Sequence, residues 1–231
     1  MELAVIGTDT GVGKTYVTTL LAAALRAAGR RVWLHKPVAC GGWLEAPDGA
    51  GSAEDARALR AYCADGQDPA SVCPLEFPEP CSPHLAAAAC GVTVTAADLG
   101  RSVMACRGTY HDLLLEGVGG LLTPLTSARE SLAELLPAWG LPALLVTRPD
   151  LGTLNHTALT VRVARAAGIR LLGVVLNHQR TPLDTLAERS AASELATLTG
   201  LPLLAEIPAN GNHRAVGSAL VRALLACEPS A

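Results

Sequence analysis

Short apolar runs recur along the chain, with amphipathic stretches between them. ELAVIG (2–7), RVWLHK (31–36), DLLLE (112–116), ALLVT (143–147), LLGVVLN (171–177) and LLAEI (203–207) are continuous rather than alternating in polarity. Strands covered on both faces of a parallel sheet have that pattern, because neither side meets water. The spacing between them predicts helices over 14–28, 53–63, 84–90, 95–107, 130–137, 155–167, 184–199 and 212–226. Gly29, Gly168 and Gly200 follow three of these as C-caps. Thr95 and Asp98 resemble a capping box, with Asp in place of the usual Glu or Gln. Residues 40–52 are glycine-rich and read as a mobile loop; residues 64–83, rich in Pro, Asp and Cys, also read as loop. No repeat or low-complexity linker divides the chain. Strand–helix alternation therefore predicts one domain over 1–231, of class α/β and three layers, with a mostly parallel central sheet, helices on both faces and right-handed crossovers.

Composition narrows the chemistry. Of 231 residues, half are hydrophobic but only 3% are aromatic, so the core must be aliphatic, which suits helices packed on a sheet. A net charge of −3 argues against broad nucleic-acid binding, which needs clustered cations. No apolar run reaches the length of a membrane span. MELAVIG lacks the basic start of a secretion leader. The cysteine count is seven, an odd number, and no C-x-x-C occurs. Zinc binding and a disulfide framework are therefore not expected. The thiols read as reduced, in a cytoplasmic protein, and mostly as small buried hydrophobes. The histidines are scattered and form no metal-binding spacing.

GTDTGVGKT (7–15) lies between the first strand and the first helix, which is the setting of a phosphate-binding loop. Gly11 and Gly13 let successive backbone N–H groups turn inward, and the helix start adds partial positive charge. Lys14 would reach β- and γ-phosphates, and the Thr15 hydroxyl would ligate Mg²⁺. The usual spacing wants Gly at position 8; here Thr8 stands there and Gly7 comes one place early.

Three more strand ends carry polar groups. Lys36 closes the second strand, before Pro37, and faces the crevice at the carboxyl ends of the sheet. Glu116 tips DLLLE ahead of GVGG, a Walker-B-like arrangement in which glycines allow close approach to phosphate or substrate. Asp55 and its neighbour Glu54 open a helix as first-turn acids that favour its dipole, and compete for the same job there. LGTLNH starts another helix, with Thr153 to Asn155 as caps and free N–H groups that suit a carboxylate. Asn177 ends LLGVVLN with an amide able to pair with both a donor and an acceptor edge of adenine.

GTDTGVGKT, KPVACG (36–41), EGVGG (116–120), LGTLNH (151–156) and EIP (206–208) together resemble the dethiobiotin synthetase family, in the family's order over almost the whole chain. That resemblance implies a P-loop NTPase-like fold and a homodimer. It implies an enzyme that makes the ureido ring of dethiobiotin from 7,8-diaminononanoate, CO₂ and ATP, releasing ADP and phosphate. Gly11, Val12, Gly13, Lys14, Thr15 and Tyr16 would form the nucleotide loop, and Thr10 would also touch the diamine. Lys36, with Lys14, would be catalytic, stabilising the carbamate and the phosphoryl group in transfer. Cys40 stands where the family often has a substrate-contacting Ser. Mg²⁺ would be held by Thr15, Asp55 and Glu116, with Gly117, Val118 and Gly119 lining the site. Gly152, Thr153, Leu154 and Asn155 would hold the substrate's carboxyl tail from the partner subunit, so the site would be shared across an interface. Asn177 and His178 would meet the base, and Pro208, Ala209 and Asn210 would wall it. The family's further acid has no counterpart in ANGNHRAVG.

Two other readings compete. A nucleotide-switch ATPase of the partitioning or septum-positioning type would carry an early loop lysine, where this chain has Asp9. It would also want a basic face or a membrane-binding tail, and the ending LACEPSA is neither. A cobyrinate-type amidotransferase synthase would need a glutaminase domain, for which no residues remain.

Overall fold

A computed structural model describes residues 1–45, 51–108, 112–181 and 183–227. Its strands are β1 (Glu2–Gly7), β2 (Val32–His35), β3 (Val38–Cys40), β4 (Trp43–Glu45), β5 (Gly51–Ala53), β6 (Leu75–Phe77), β7 (Asp112–Glu116), β8 (Ala143–Thr147), β9 (Leu171–Asn177) and β10 (Leu203–Ile207). Its helices are α1 (Lys14–Ala27), α2 (Glu54–Arg60), α3 (Pro69–Val72), α4 (Pro83–Ala89), α5 (Ala96–Cys106), α6 (Leu132–Trp139), α7 (Thr153–Ala166), α8 (Leu186–Thr199) and α9 (His213–Ala226).

The six apolar runs make one parallel sheet in the order β10-β9-β8-β1-β7-β2. Alternate residues of β1, β7 and β8 enter opposite cores. Leu3, Val5, Leu114, Leu144 and Val146 pack under α1 and α9 with Leu21, Leu25, Leu220 and Leu224. Ala4, Ile6, Leu115, Ala143 and Leu145 pack under α5, α6 and α7 with Val103, Leu136 and Val161. Two buried faces explain the unbroken apolar runs.

The strand order sets the site. The chain leaves β1, forms α1 and enters β2 at the sheet edge; β7 later inserts between them. In register, Val5 lies beside Glu116, and His35 beside Leu115. The end of β1, the end of β7 and Lys36 just past β2 therefore meet at one edge of the sheet, where ligands of open α/β sheets bind.

The loop readings of 40–52 and 64–83 need correction. β4 and β5 pair antiparallel, from Trp43 with Ala53 to Glu45 with Gly51; residues 46–50 lie outside the described residues. Within 64–83, Asp68 caps α3 by accepting from the Ala70 N–H, Pro69 occupies the first turn, and β6 pairs parallel with β3. Three-residue strands give too few alternations to register as a pattern. Reciprocal capping boxes at Ser131–Glu134 and Thr185–Glu188 start α6 and α8 at 132 and 186, two residues later than the spacing predicts. All seven cysteines are free thiols, but only Cys73 and Cys106 are buried, while Cys81 and Cys90 are exposed. Among the described residues, no helix is long and apolar enough to cross a membrane. The last residues of the LACEPSA ending, 228–231, lie outside the described part.

Candidate active site

The loop after β1 turns on Gly13, which caps α1 with φ 92°. A Cβ there would lie 2.1 Å from Asn177 Nδ2. That amide donates instead to the Val12 carbonyl at 3.0 Å, tying the loop to the end of β9. Lys14 folds back over the loop and donates to the carbonyls of Asp9 (2.9 Å) and Gly119 (2.7 Å). Burial, helped by the nearby Lys36 ammonium, lowers the Lys14 pKa to about 8. Its charge is thus complete below that pH and lost above it in the ligand-free protein, and a bound polyphosphate would draw the proton back.

Beside it stand two acids, one cation and one hydroxyl. Thr15 Oγ1 lies 2.9 Å from Asp55 Oδ1 and 2.6 Å from Glu116 Oε1. Lys36 Nζ donates to Glu116 Oε1 at 2.7 Å and to Asp55 Oδ2. Burial alone would depress the Lys36 pKa, but Glu116 and Asp55 outweigh it and raise it, so the ammonium stays charged. Burial would raise Asp55; Lys36, then Thr15, hold it below the ordinary carboxylate range.

This donor set fits a hard divalent cation. Thr15 has one hydroxyl proton but meets two carboxylate oxygens, so one close oxygen–oxygen contact has no proton in it. Glu116 Oε2 is buried with no hydrogen-bond partner. Oxygen ligands from two carboxylates and a hydroxyl, completed by phosphate and water, are what Mg²⁺ takes. Glu54, the rival of Asp55, points elsewhere: its Cβ packs on Gly42, and it does not line the cavity.

That cavity measures about 600 Å³. Thr10, Gly11, Gly13, Lys14, Thr15, Tyr16, Lys36, Cys40, Asp55, Val118 and Gly119 all line it, with Pro80, Cys81, Ser82, Pro83, Thr123 and Gln179. A second cavity of about 470 Å³ shares Gly13, Tyr16 and Gln179 and adds Asn177, His178, Pro208, Ala209 and His213. Asn210 borders a third, of about 430 Å³, with His178, Pro208 and Ala209.

The family described as "AAA domain" matches residues 1–215. A protein described as "ATP-dependent dethiobiotin synthetase BioD" from Anaeromyxobacter dehalogenans (strain 2CP-C) is 40% identical over 222 residues, covering 94% of this chain and 96% of its own. One so described from Anaeromyxobacter sp. (strain Fw109-5) is 43% identical over 206 residues, covering 89% and 88%. Another, from Bacillus velezensis, is 36% identical over 204 residues, covering 88% and 84%. The chain belongs to the dethiobiotin synthetase family.

Solved structures similar in fold include the Pyrococcus furiosus cell division ATPase MinD, with a TM-score of 0.59 at 19% identity over 98% of this chain and 99% of that one. A ParA family ATPase from Chlorobium tepidum TLS has a TM-score of 0.55 at 14% identity, covering 96% and 90%. Likeness at those identities speaks for the P-loop fold alone.

Several residues expected in a dethiobiotin synthetase site lie apart from the cavity of their own chain. Gly152 caps α7, and no side chain caps it, so Thr153 to Asn155 are not the caps they read as. Thr153 is buried and bonded to Thr147 Oγ1 at 2.9 Å, and Leu154 packs against the cluster of Leu176, Ala191 and Leu195. Only Gly152 and Asn155 of this group are exposed. Gly117 is not among the residues lining that cavity; a Cβ on it would strike Leu132 at 2.6 Å, so the chain packs closely against α6 there. Cys40 does line the cavity, but burial, with Cys81 and Cys90 nearby, pushes its thiol up to about 12. The thiol is therefore protonated at neutral pH, which argues against a nucleophilic role.

Several site residues carry no sequence motif, among them Pro80–Pro83, Thr123, Gln179 and His213. Gln179 donates to the Gly11 carbonyl and lines both cavities. His213, the first residue of α9, meets Tyr16 edge to face with ring centres 5.7 Å apart and pairs with its hydroxyl. The one signal for Gln179 was its place two residues after Asn177.

Proposed function

We propose that this chain is an ATP-dependent dethiobiotin synthetase, joining CO₂ to both amines of 7,8-diaminononanoate and releasing dethiobiotin, ADP and phosphate. The observation that carries the reading is the buried Lys36 ammonium at 2.7 Å from Glu116, in a cavity that holds the phosphate loop and extends past it to Cys40 and Pro80–Pro83. A phosphate loop alone needs no such second compartment.

The chemistry runs in three steps. One amine takes up CO₂ as a carbamate, a poor electrophile. A carbamate oxygen attacks the γ-phosphorus and ADP leaves, giving a carbamic–phosphoric anhydride. The second amine attacks the carbonyl carbon, phosphate leaves, and the ring closes. Both amines sit on one molecule, so closure is intramolecular, an advantage of ~7–11 kcal/mol when well oriented.

The residues divide this work. The loop amides from Gly11 to Tyr16 and the Lys14 ammonium grip the β- and γ-phosphates. Lys36 stabilises the carbamate oxygen and the charge on the phosphoryl group in transfer. Thr15, Asp55 and Glu116 would hold Mg²⁺, which when bound neutralises charge on the phosphate oxygens. Thr10 and Cys40 border the diamine, and Val118 and Gly119 close the floor. Asn177 commits its Nδ2 to Val12, which leaves its carbonyl to accept from the adenine amine. His178, Pro208, Ala209 and Asn210 flank the base.

The working unit in this reading is a homodimer of single-domain chains in the cytoplasm. Leu122, Leu151 and Leu159 are exposed, and a groove of about 310 Å³ runs between the loop and α7. A second copy seated there would bring its Gly152–Asn155 backbone to the diamine's carboxylate.

ADP release with each substrate omitted in turn tests this reading. Release should require both the diamine and bicarbonate, falling to background without either. Unchanged release without them would instead favour a nucleotide-switch ATPase.

A further inference from the structure

The two acids of the site stand on unequal supports. Glu116 ends a strand buried along its whole length. Asp55 lies in the first turn of α2, a seven-residue helix with no side-chain N-cap, and its carboxylate is 46% exposed. So short a helix has little stability of its own. Ala56 and Leu59 bury one side of it, and its polar anchorage comes from Glu76 on β6. Glu76 Oε2 accepts from the Ala53 N–H at 2.8 Å and from the Ser52 hydroxyl at 2.6 Å, at the entry to α2. Glu76 Oε1 pairs with Arg60, the last residue of α2. Arg60 donates in turn to Ser52 Oγ at 2.7 Å and to the Pro69 carbonyl at 2.9 Å. One carboxylate thereby fixes both ends of the helix that carries Asp55.

We infer that Glu76 is a positioning residue for the divalent-cation site, setting through Ala53 and Arg60 where Asp55 meets Thr15. This rests on the Mg²⁺ reading above. Glu76 itself does not line the cavity. Burial would raise its carboxyl, but hydrogen bonds from Arg60, Ser52 and the Ala53 N–H hold it low, so it is ionised at neutral pH. Its strand pairs with β3 through Ala39 and leads to the Pro80–Ser82 wall of the cavity. The same residue therefore keeps the Asp55 helix in register with the second-substrate compartment.

The test compares wild type with Glu76→Gln, using Mn²⁺ as the probe and the paramagnetic signal of free Mn²⁺ as the readout, with ADP present. Partners behind a metal ligand are commonly worth about 10- to 100-fold in metal affinity, and a loss in that range is expected. The Mg²⁺ concentration for half-maximal turnover should rise by the same factor. kcat at saturating Mg²⁺, and ADP affinity in chelator, should stay unchanged. Should Glu76→Gln prove unstable at assay temperature, Arg60→Lys keeps the charge, loses the multi-point grip and carries the same expectation. Wild-type Mn²⁺ affinity in the variants, or a loss of turnover that excess Mg²⁺ does not restore, overturns the inference. A wild-type protein that takes up no Mn²⁺ with ADP defeats the cation reading itself, a separate failure from that of Glu76.

Discussion

Lys36→Met should reduce ring closure by on the order of 10³-fold while ADP still binds. The side chain is 3% exposed, so its ammonium lies in a site that water screens poorly. Methionine preserves most of the stem's volume and removes only the charge. Loss of that charge leaves Asp55 and Glu116 facing each other across Thr15, with no cation between them. Removing one partner of a buried pair costs about 3–5 kcal/mol of stability. Mg²⁺ should return part of that in the variant, because it would replace the missing positive charge. Dethiobiotin formation, ADP titration, and thermal unfolding with and without Mg²⁺ report the three effects separately. Near-normal ring closure by Lys36→Met removes this lysine from the chemistry.

Gly13→Ala should weaken ADP binding by on the order of 100-fold, with strain and clash acting together. At φ 92° an L side chain is strained. The added methyl would also occupy the place of Asn177 Nδ2, which must then release Val12. Both the loop after β1 and the Asn177 amide that ties it to β9 are thus disturbed by one carbon atom. Gly29→Ala is the control. It has φ 75° but nothing within 4 Å of the new carbon, and it lies at the far end of α1. It should cost stability and leave ADP affinity alone. Equal ADP affinity in Gly13→Ala and wild type, by calorimetry, would mean that the loop does not grip the nucleotide as described.

What the sequence made legible follows from how each feature is encoded. The six sheet strands are apolar runs packed between helical layers, and five of them end where the pattern places them; β2 is one residue shorter at each end, Val32–His35, which leaves Lys36 just past the strand rather than closing it. Lys14, Thr15, Lys36 and Glu116 sit at strand ends or a helix start, positions that a parallel sheet brings to one edge. Asp55 was ambiguous with Glu54 because one helical step separates them, and only the orientation of α2 decides which reaches Thr15. The wall formed by Pro80–Pro83 and the clamp at Glu76 were invisible for a different reason. They depend on three-residue strands and a single ionic network, neither of which leaves a period. Gln179 and His213 reach the second cavity from separate elements, β9's exit and the start of α9, whose proximity is a property of the fold.

The likeness to MinD and ParA proteins has the same origin. A parallel sheet with a loop after its first strand fixes the fold, and does not specify what the phosphoryl group is transferred to. Asp9 bends back to accept from the Thr10 N–H at 2.7 Å and supplies no cation there. The cation beside the acids comes instead from Lys36, at the end of the edge strand.

Retention of labelled carbon tests the central claim most directly. The purified protein is supplied with ¹³C-bicarbonate, diaminononanoate, ATP and Mg²⁺, and the product is weighed by mass spectrometry as ADP is counted. The account predicts dethiobiotin carrying a single ¹³C in its ureido carbonyl, with one ADP formed for each ring closed. ADP accumulating with no labelled ring would contradict it.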